Sequence, residues 1–230
     1  EKKINVEWPG QATPTWTENA AAIRHWWETE RRGRPAEAIH RGDFDAAYAA
    51  CQQPVDLTGL PDAFKVDGKT PEAPERYTIN GVVTAGDDVD QVEAQMDAAW
   101  AGEVIEVGGQ LRFRPGVDRV VTMELTDANT TDPKKIDDDD IIEPPAIKPW
   151  PALQERINAV TCEIAQSKAH EWTKLSLPEY VDSPAEDRDG VKRSGEIRLA
   201  YVVDPIAAGR LQAVNLRRAR ESLRLELGAK

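Results

Sequence analysis

The chain has 230 residues, of which 41 are acidic and 29 are lysine or arginine, for a formal charge of −12. At 40% apolar residues it is too hydrophobic for a disordered chain. Its mean hydropathy of −0.57, with no apolar run near the roughly 20 residues that cross a bilayer, excludes a membrane-spanning protein. One large domain or two small ones are expected, either able to bury a core. No secretory leader is legible. The chain opens on Glu1 and stops just after an apolar alternation, as a piece of something longer would.

The charge is uneven. From Pro205 to Lys230 there are six basic residues against Glu221 and Glu226, a local +4, which leaves −16 for the remainder. That balance argues against a general nucleic-acid binder, which needs a broad basic face. The arginines are read as complementing the C-terminal end of a helix dipole. Cys51 and Cys162 are the only cysteines and are expected as ordinary buried thiols.

In chain order, Thr17 can cap a helix with Ile23, Trp26 and Trp27 on one stripe, ended by Gly33 and Pro35. Asp43 can cap a second, with Phe44, Ala47, Tyr48 and Cys51 at i, i+3, i+4 and i+7 and Pro54 as its stop. Together they read as a helical hairpin. An extended connection with four prolines follows, from Gln53 to Arg76.

Tyr77 to Val83 reads as a strand. Asp87 or Asp88 then caps a helix carrying Val89, Val92, Met96 and Trp100, ended by Gly102. Glu103 to Arg114 forms two β-runs about Gly108-Gly109, a pair that tolerates the positive φ of a two-residue hairpin turn. Val120 to Leu125 reads as a further strand. Thr126 to Pro151, with five prolines and the run Asp137 to Asp140, reads as loop or linker. Strands are expected at Ile157 to Ile164, Trp172 to Leu177 and Gly195 to Val202, with a polar loop before the last. Asp204-Pro205 is a strong helix start. The helix is expected to end near Arg220, and the alternation of Leu223, Leu225 and Leu227 makes the tail a strand.

The fold class is therefore α+β: a helical hairpin, a mixed β-α-β-β unit, and a β unit closed by a long helix. The expected segments are 1–60 helical, 61–76 linker, 77–126 the β-α-β-β unit, 127–155 an acidic proline-rich linker, and 156–230 strands with the long helix.

Signals for chemistry are sparse. Asp187, Asp189, Gly190 and Glu196 fall at positions three, five, six and twelve of a calcium loop, but position one is Ala185 and position nine is Arg193, so calcium is rejected. Asp137 to Asp140 reads as a solvated acidic loop. His25, His40 and His170 have no metal-ligand spacing, no nucleophile elbow is present, and Gly108-Gly109 opens no helix that could cradle a phosphate. No cofactor, metal or catalytic residue is assigned. Trp26, Trp27 and Trp100 lie on helix stripes and are expected in the core. Trp8, Trp16, Trp150 and Trp172 flank proline-rich or strand-edge segments and are the candidate interface residues.

Several local patterns carry a resemblance. Pro14-Thr15-Trp16-Thr17-Glu18-Asn19-Ala20 is similar to a W-[ST]-[DE]-N-P helix opening, with Ala20 in place of proline. Asp43-Phe44-Asp45 leads through Tyr48 to Cys51-Gln52-Gln53-Pro54-Val55, similar to C-[DE]-x-[PS]-V. Glu75-Arg76-Tyr77-Thr78-Ile79-Asn80-Gly81 matches R-Y-x-x-N-G. Gly108-Gly109-Gln110-Leu111-Arg112 before Pro115-Gly116, Arg156-Ile157-Asn158-Ala159-Val160, and Val203-Asp204-Pro205 with Ala208 to Leu216 follow in order. From Trp16 to Leu227 this order resembles the central hub region of phage tail tip attachment proteins, the lambda J-like host specificity proteins of siphophages, prophages and gene transfer agents. Segments 56–74 and 127–151 have no counterpart in that pattern.

The resemblance implies a structural component of the virion tail tip with no active site, present as three copies around a channel. It also implies distal tail, tape-measure and receptor-binding proteins as partners, and DNA only in transit. An acidic channel wall would not trap passing phosphates. The alternative functions are a peptidoglycan-degrading module, which needs two carboxylates across a cleft, and a carbohydrate-binding module built on exposed tryptophans.

Overall fold

The computed structural model describes residues 5–6, 8, 13–56, 73–117, 124–125, 135–136, 141–148, 156–166, 173–220 and 224–229. It is an α+β chain. Helix α1 (Ala20–Trp26) runs into a π-helical turn at Trp27–Arg31, where the Arg32 N–H donates to the Trp27 carbonyl at 3.0 Å. Its cap is Asn19 rather than Thr17: the Asn19 side chain accepts from the Ala22 N–H at 3.1 Å, while the Thr17 hydroxyl accepts from the Asn19 N–H. The second cap also moves. Helix α2 (Arg41–Gln52) starts from His40, whose Nδ1 accepts from the Asp43 N–H at 3.2 Å, and Asp43 instead lies inside the first turn. The expected stripe of Phe44, Ala47 and Cys51 is buried against α1, with Tyr48 at its margin.

Tyr77 to Val83 is not a sheet strand. Tyr77 and Ile79 are buried, but the segment is threaded between other elements. The Tyr77 N–H donates to the Cys51 carbonyl, the Ile79 N–H to the Glu18 carbonyl and the Asn80 N–H to the Tyr201 carbonyl. The alternation is real, but its partners are carbonyls at the end of α2, ahead of α1 and in the turn after Leu199, which no pattern within the segment specifies. Helix α3 (Val89–Ala99) is capped by Asp88, which accepts from the Gln91 N–H at 3.0 Å. Its buried face is Val92, Met96 and Ala99; Val89 is exposed, and Trp100 is fully buried just past the last turn. The left-handed residue at this end is Ala101, at φ 49°, and not Gly102.

The hairpin β1 (Glu103–Val107) and β2 (Gln110–Arg114) turns on Gly108 and Gly109, at φ 60° and 78°. Phe113 in β2 meets Phe44 and Trp100 edge-on, both at 5.9 Å between ring centres, which ties the hairpin to α2 and α3. The expected Val120 to Leu125 strand is described only at β3 (Glu124–Leu125), which pairs in parallel with β4 (Lys135–Ile136).

The stretch read as a linker contains a strand of eight residues, β5 (Ile141–Lys148), paired with the C-terminal β9 (Arg224–Ala229). Pro144 and Pro145 hid it because neither can donate to a ladder. The register shifts between Glu143 and Ala146, across those two residues.

The three-stranded sheet has the order β7-β6-β8, with β6 (Ala159–Ala165) in the centre, antiparallel to β7 (Lys174–Val181) and parallel to β8 (Ser194–Leu199). Val160, Cys162 and Ile164 point from β6 into the core. Pro178 sits in edge strand β7, where a missing donor is tolerated. Between β7 and β8, where only a polar loop was expected, lies helix α4 (Ser183–Asp189), capped by Asp182 and closed by Gly190 at φ 68°. Helix α5 (Pro205–Arg220) begins as expected, Asp204 accepting from the Ile206 and Ala207 N–H groups at 2.7 and 2.8 Å. It lies on the sheet, and the buried Gln212 amide donates to the Val160 and Pro178 carbonyls at 3.1 Å each.

Candidate functional site

The densest polar constellation joins α1 to α3. Arg24, 3% exposed, has Glu28 one turn further along its own helix and reaches Asp97 at 3.0 Å and Glu93 at 3.4 Å across the interface. Arg34 reaches Glu28 at 3.3 Å and Arg32 reaches Glu93 at 3.1 Å. The indole N–H groups of Trp27 and Trp100 donate to Glu93 and Asp97 at 2.9 and 3.2 Å. Three guanidinium groups thus face three carboxylates. Burial raises the Asp97 pKa, against the opposing pull of Arg24. Glu28, Glu93 and Asp97 converge on an arginine rather than across an open cleft, so their geometry is that of a clamp between helices. The i, i+4 pairs Arg24/Glu28 and Glu93/Asp97 were visible in the sequence; that they belong to one cluster was not.

A second joint closes the sheet. The fully buried Asn158 donates to the Val191 carbonyl at 2.8 Å and Asp189 at 3.2 Å, and accepts from the Arg193 N–H at 2.7 Å. Arg220 meets Asp189 at 2.8 Å and the Ile157 carbonyl at 3.0 Å. These hydrogen bonds from Arg220 hold Asp189 below the usual carboxylate range. Asp189 therefore ends a helix and grips α5. Asn158→Ala is expected to lower stability by about 2–3 kcal/mol, through lost hydrogen bonds and an orphaned Arg193 N–H. Asn158→Asp should be worse, because it faces Asp189 with a second carboxylate. Urea midpoints measure both, and an unchanged midpoint would remove Asn158 from the framework.

On the open face of the sheet, Glu179 in β7 accepts from the Ser194 hydroxyl and pairs with Lys192; the Lys192 hydrogen bond is the main cause of its lowered pKa. The carboxylate thus takes the serine hydroxyl on one oxygen and the lysine ammonium on the other.

Of the four candidate interface tryptophans, Trp8 is buried and stacked on Tyr48 with ring centres 5.6 Å apart. Trp16 is 46% exposed. Trp150 and Trp172 lie outside the described residues, as do His170 and the run Asp137 to Asp140. Trp27 and Trp100 are core, as expected; Trp26 is half-buried beneath the Arg31 guanidinium, 5.2 Å from its ring centre. Burial pushes the thiols of Cys51 and Cys162, both free, up to about 12. His25 is buried against the Phe44 ring at 4.9 Å with both nitrogens unpartnered among the described residues. No group of His, Cys, Asp and Glu suited to a metal ion occurs among the described residues, and no described helix is long and apolar enough to cross a membrane.

No protein-family model and no curated protein matches this sequence.

Proposed function

We propose that the chain is a hub or adaptor component of a phage or phage-like tail tip, acting by assembly and without catalysis. In this reading three copies surround the tail channel, link the tube to receptor-binding parts, and let DNA pass. The observation that carries it is where the residues of the family-like patterns lie. Asn19 caps α1 and donates to the Tyr48 carbonyl at 3.1 Å. Tyr77 is buried, its hydroxyl donating to the Gly116 carbonyl. Asn158 fastens the sheet, and Asp204 starts α5. These side chains form the framework and do not converge on a cleft, which is what a part selected for assembly requires.

The β5–β9 pair adds support. A two-stranded sheet is marginal alone, and among the described residues these two strands pair only with each other, which suits completion by neighbouring subunits. The test is electron cryomicroscopy of intact particles. Density for three copies of this fold at the tail end is the expected result, and absence of the chain from the tail tip overturns the proposal.

A further inference from the structure

Of the asparagines in the sequence, only Asn80 is followed by glycine. Asparagine is among the thermolabile residues, because the next backbone nitrogen can attack its side-chain amide carbon. A following glycine has no Cβ to obstruct that approach. A fold suppresses the reaction by engaging the next N–H in a hydrogen bond or by fixing the amide, and the described asparagines divide on this point. Asn19 is buried, its side chain bonded to the Ala22 N–H and the Tyr48 carbonyl, and the following Ala20 N–H donates to the Tyr77 carbonyl at 3.3 Å. Asn158 is fully buried and bonded to Val191, Asp189 and Arg193, and the Ala159 N–H donates to the Arg193 carbonyl at 3.1 Å. Asn215 donates to the Leu211 carbonyl and precedes Leu216 inside α5. Asn5 is exposed, but the Thr15 carbonyl holds the Val6 N–H at 2.9 Å. At Asn80 both reacting groups are open: neither its side-chain amide nor the Gly81 N–H makes a hydrogen bond among the described residues. Asn80 is half-buried and Gly81 exposed, at the head of a run that stays exposed through Gln91. The pair Asp189-Gly190, which could close the same ring with loss of water, is shut on both sides. Arg220 and Asn158 hold the Asp189 carboxylate, and the Gly190 N–H donates to the Glu186 carbonyl at 2.8 Å.

We infer that Asn80 is a site of spontaneous deamidation in the folded protein, with water as the co-reactant. The Gly81 nitrogen gives its proton to solvent base and bonds to the Asn80 Cγ. The Cγ–Nδ2 bond breaks, the side-chain nitrogen leaves as ammonia, and a five-membered succinimide remains. Water then adds to one of the two ring carbonyls and opens the ring, leaving aspartate or isoaspartate at this position. No oxidant, reductant or enzyme enters the balance, and the reaction accelerates with pH because the attacking nitrogen must lose its proton. Either product places a new negative charge ahead of Asp87, Asp88 and Asp90. Isoaspartate also lengthens the main chain by a methylene at a joint with little slack. The Asn80 N–H donates to the Tyr201 carbonyl at 2.9 Å, and a Cβ on Gly81 would overlap the Tyr201 ring. The modification therefore loosens the attachment of this exposed run to the turn after β8. The inference does not depend on the tail-tip reading: covalent change at one residue tests the one, and location in the particle tests the other.

The test is timed incubation of the full chain in mildly alkaline and mildly acidic buffer, beside a sample unfolded in guanidinium chloride that supplies the unprotected rate. Tandem mass spectrometry of the peptide containing Asn80 reads the change from amide to acid, and isoaspartyl methyltransferase labelling reads the isomer. In the folded chain Asn80 should convert within about tenfold of its unfolded rate, faster in the alkaline buffer, while Asn5, Asn19, Asn158 and Asn215 keep their amides. The Asn80→Ser variant removes a side chain that makes no hydrogen bond among the described residues, so it should fold as the wild type does, which circular dichroism checks. On incubation it should not develop the more acidic species that ion exchange separates from the wild type. Protection of Asn80 in the folded chain well beyond tenfold, or conversion no faster than at Asn5, would overturn the inference. So would the same acidic species in the serine variant.

Discussion

Arg24→Met is expected to destabilise the protein by about 3–5 kcal/mol, the loss that follows when one partner of a buried ion pair is removed and the other stays buried. Methionine fills most of the arginine volume, so the effect comes from charge rather than from a cavity. Among the described residues, Glu28, 5% exposed, would keep Arg34 alone, and the Asp97 carboxylate the Trp100 indole alone. The double variant Arg24→Met/Glu28→Leu should regain a large part of the loss, because the most deeply buried carboxylate leaves with its partner. Urea unfolding of the two variants checks both statements. A single-variant loss below about 1 kcal/mol would place the cluster among solvated surface pairs and remove it as the clamp between α1 and α3.

The second large effect is set by pH. Burial, with the nearby Arg41 charge acting in the same direction, lowers the His25 pKa to about 4. The unfolded chain takes up this proton near the ordinary value of about 6.5, and the folded chain holds the imidazole neutral until pH approaches 4. The contribution is therefore fully present above pH 6.5 and lost as pH falls through that window, reaching about 3 kcal/mol at its lower end. Asp97, with its raised pKa, acts in the opposite sense in the acidic range, so a bare pH profile mixes the two. Comparison with His25→Phe separates them. The substitution preserves an aromatic ring against Phe44 and removes two unpartnered nitrogens. Its stability advantage over wild type should widen steadily between pH 6.5 and 4, and parallel profiles would show that His25 is hydrated in the fold.

The features legible in the sequence were those that depend on local geometry. The Gly108-Gly109 turn, the stripe of α2, the Asp204-Pro205 start and the switch from helix to strand near Arg220 all depend on residues within a few positions of one another. Misreadings came where a distant group decided the outcome. Thr17 and Asn19 are both good caps, and Asn19 prevails as its amide also reaches Tyr48. Tyr77 to Val83 alternates like a strand but is satisfied by carbonyls from three separate regions. The calcium-like spacing of Asp187, Asp189 and Glu196 concealed a short helix, since acidic residues serve caps and helix surfaces as readily as ions. The polar cluster around Arg24 was invisible as a whole for the same reason: its two i, i+4 pairs are brought together across 69 positions, from Arg24 to Glu93, and share no motif.

The two cysteines have a use that neither the fold nor its assembly requires. A thiol reacts with alkylating reagents as the thiolate, and with values near 12 and almost no exposed surface, Cys51 and Cys162 react only after the surrounding structure opens. Cys51 lies in α2 and Cys162 in the central strand β6, so each half of the molecule contains its own clock. Equal alkylation rates under native conditions would mean that helices and sheet open together, whereas a faster rate at one site would identify the half that loosens first.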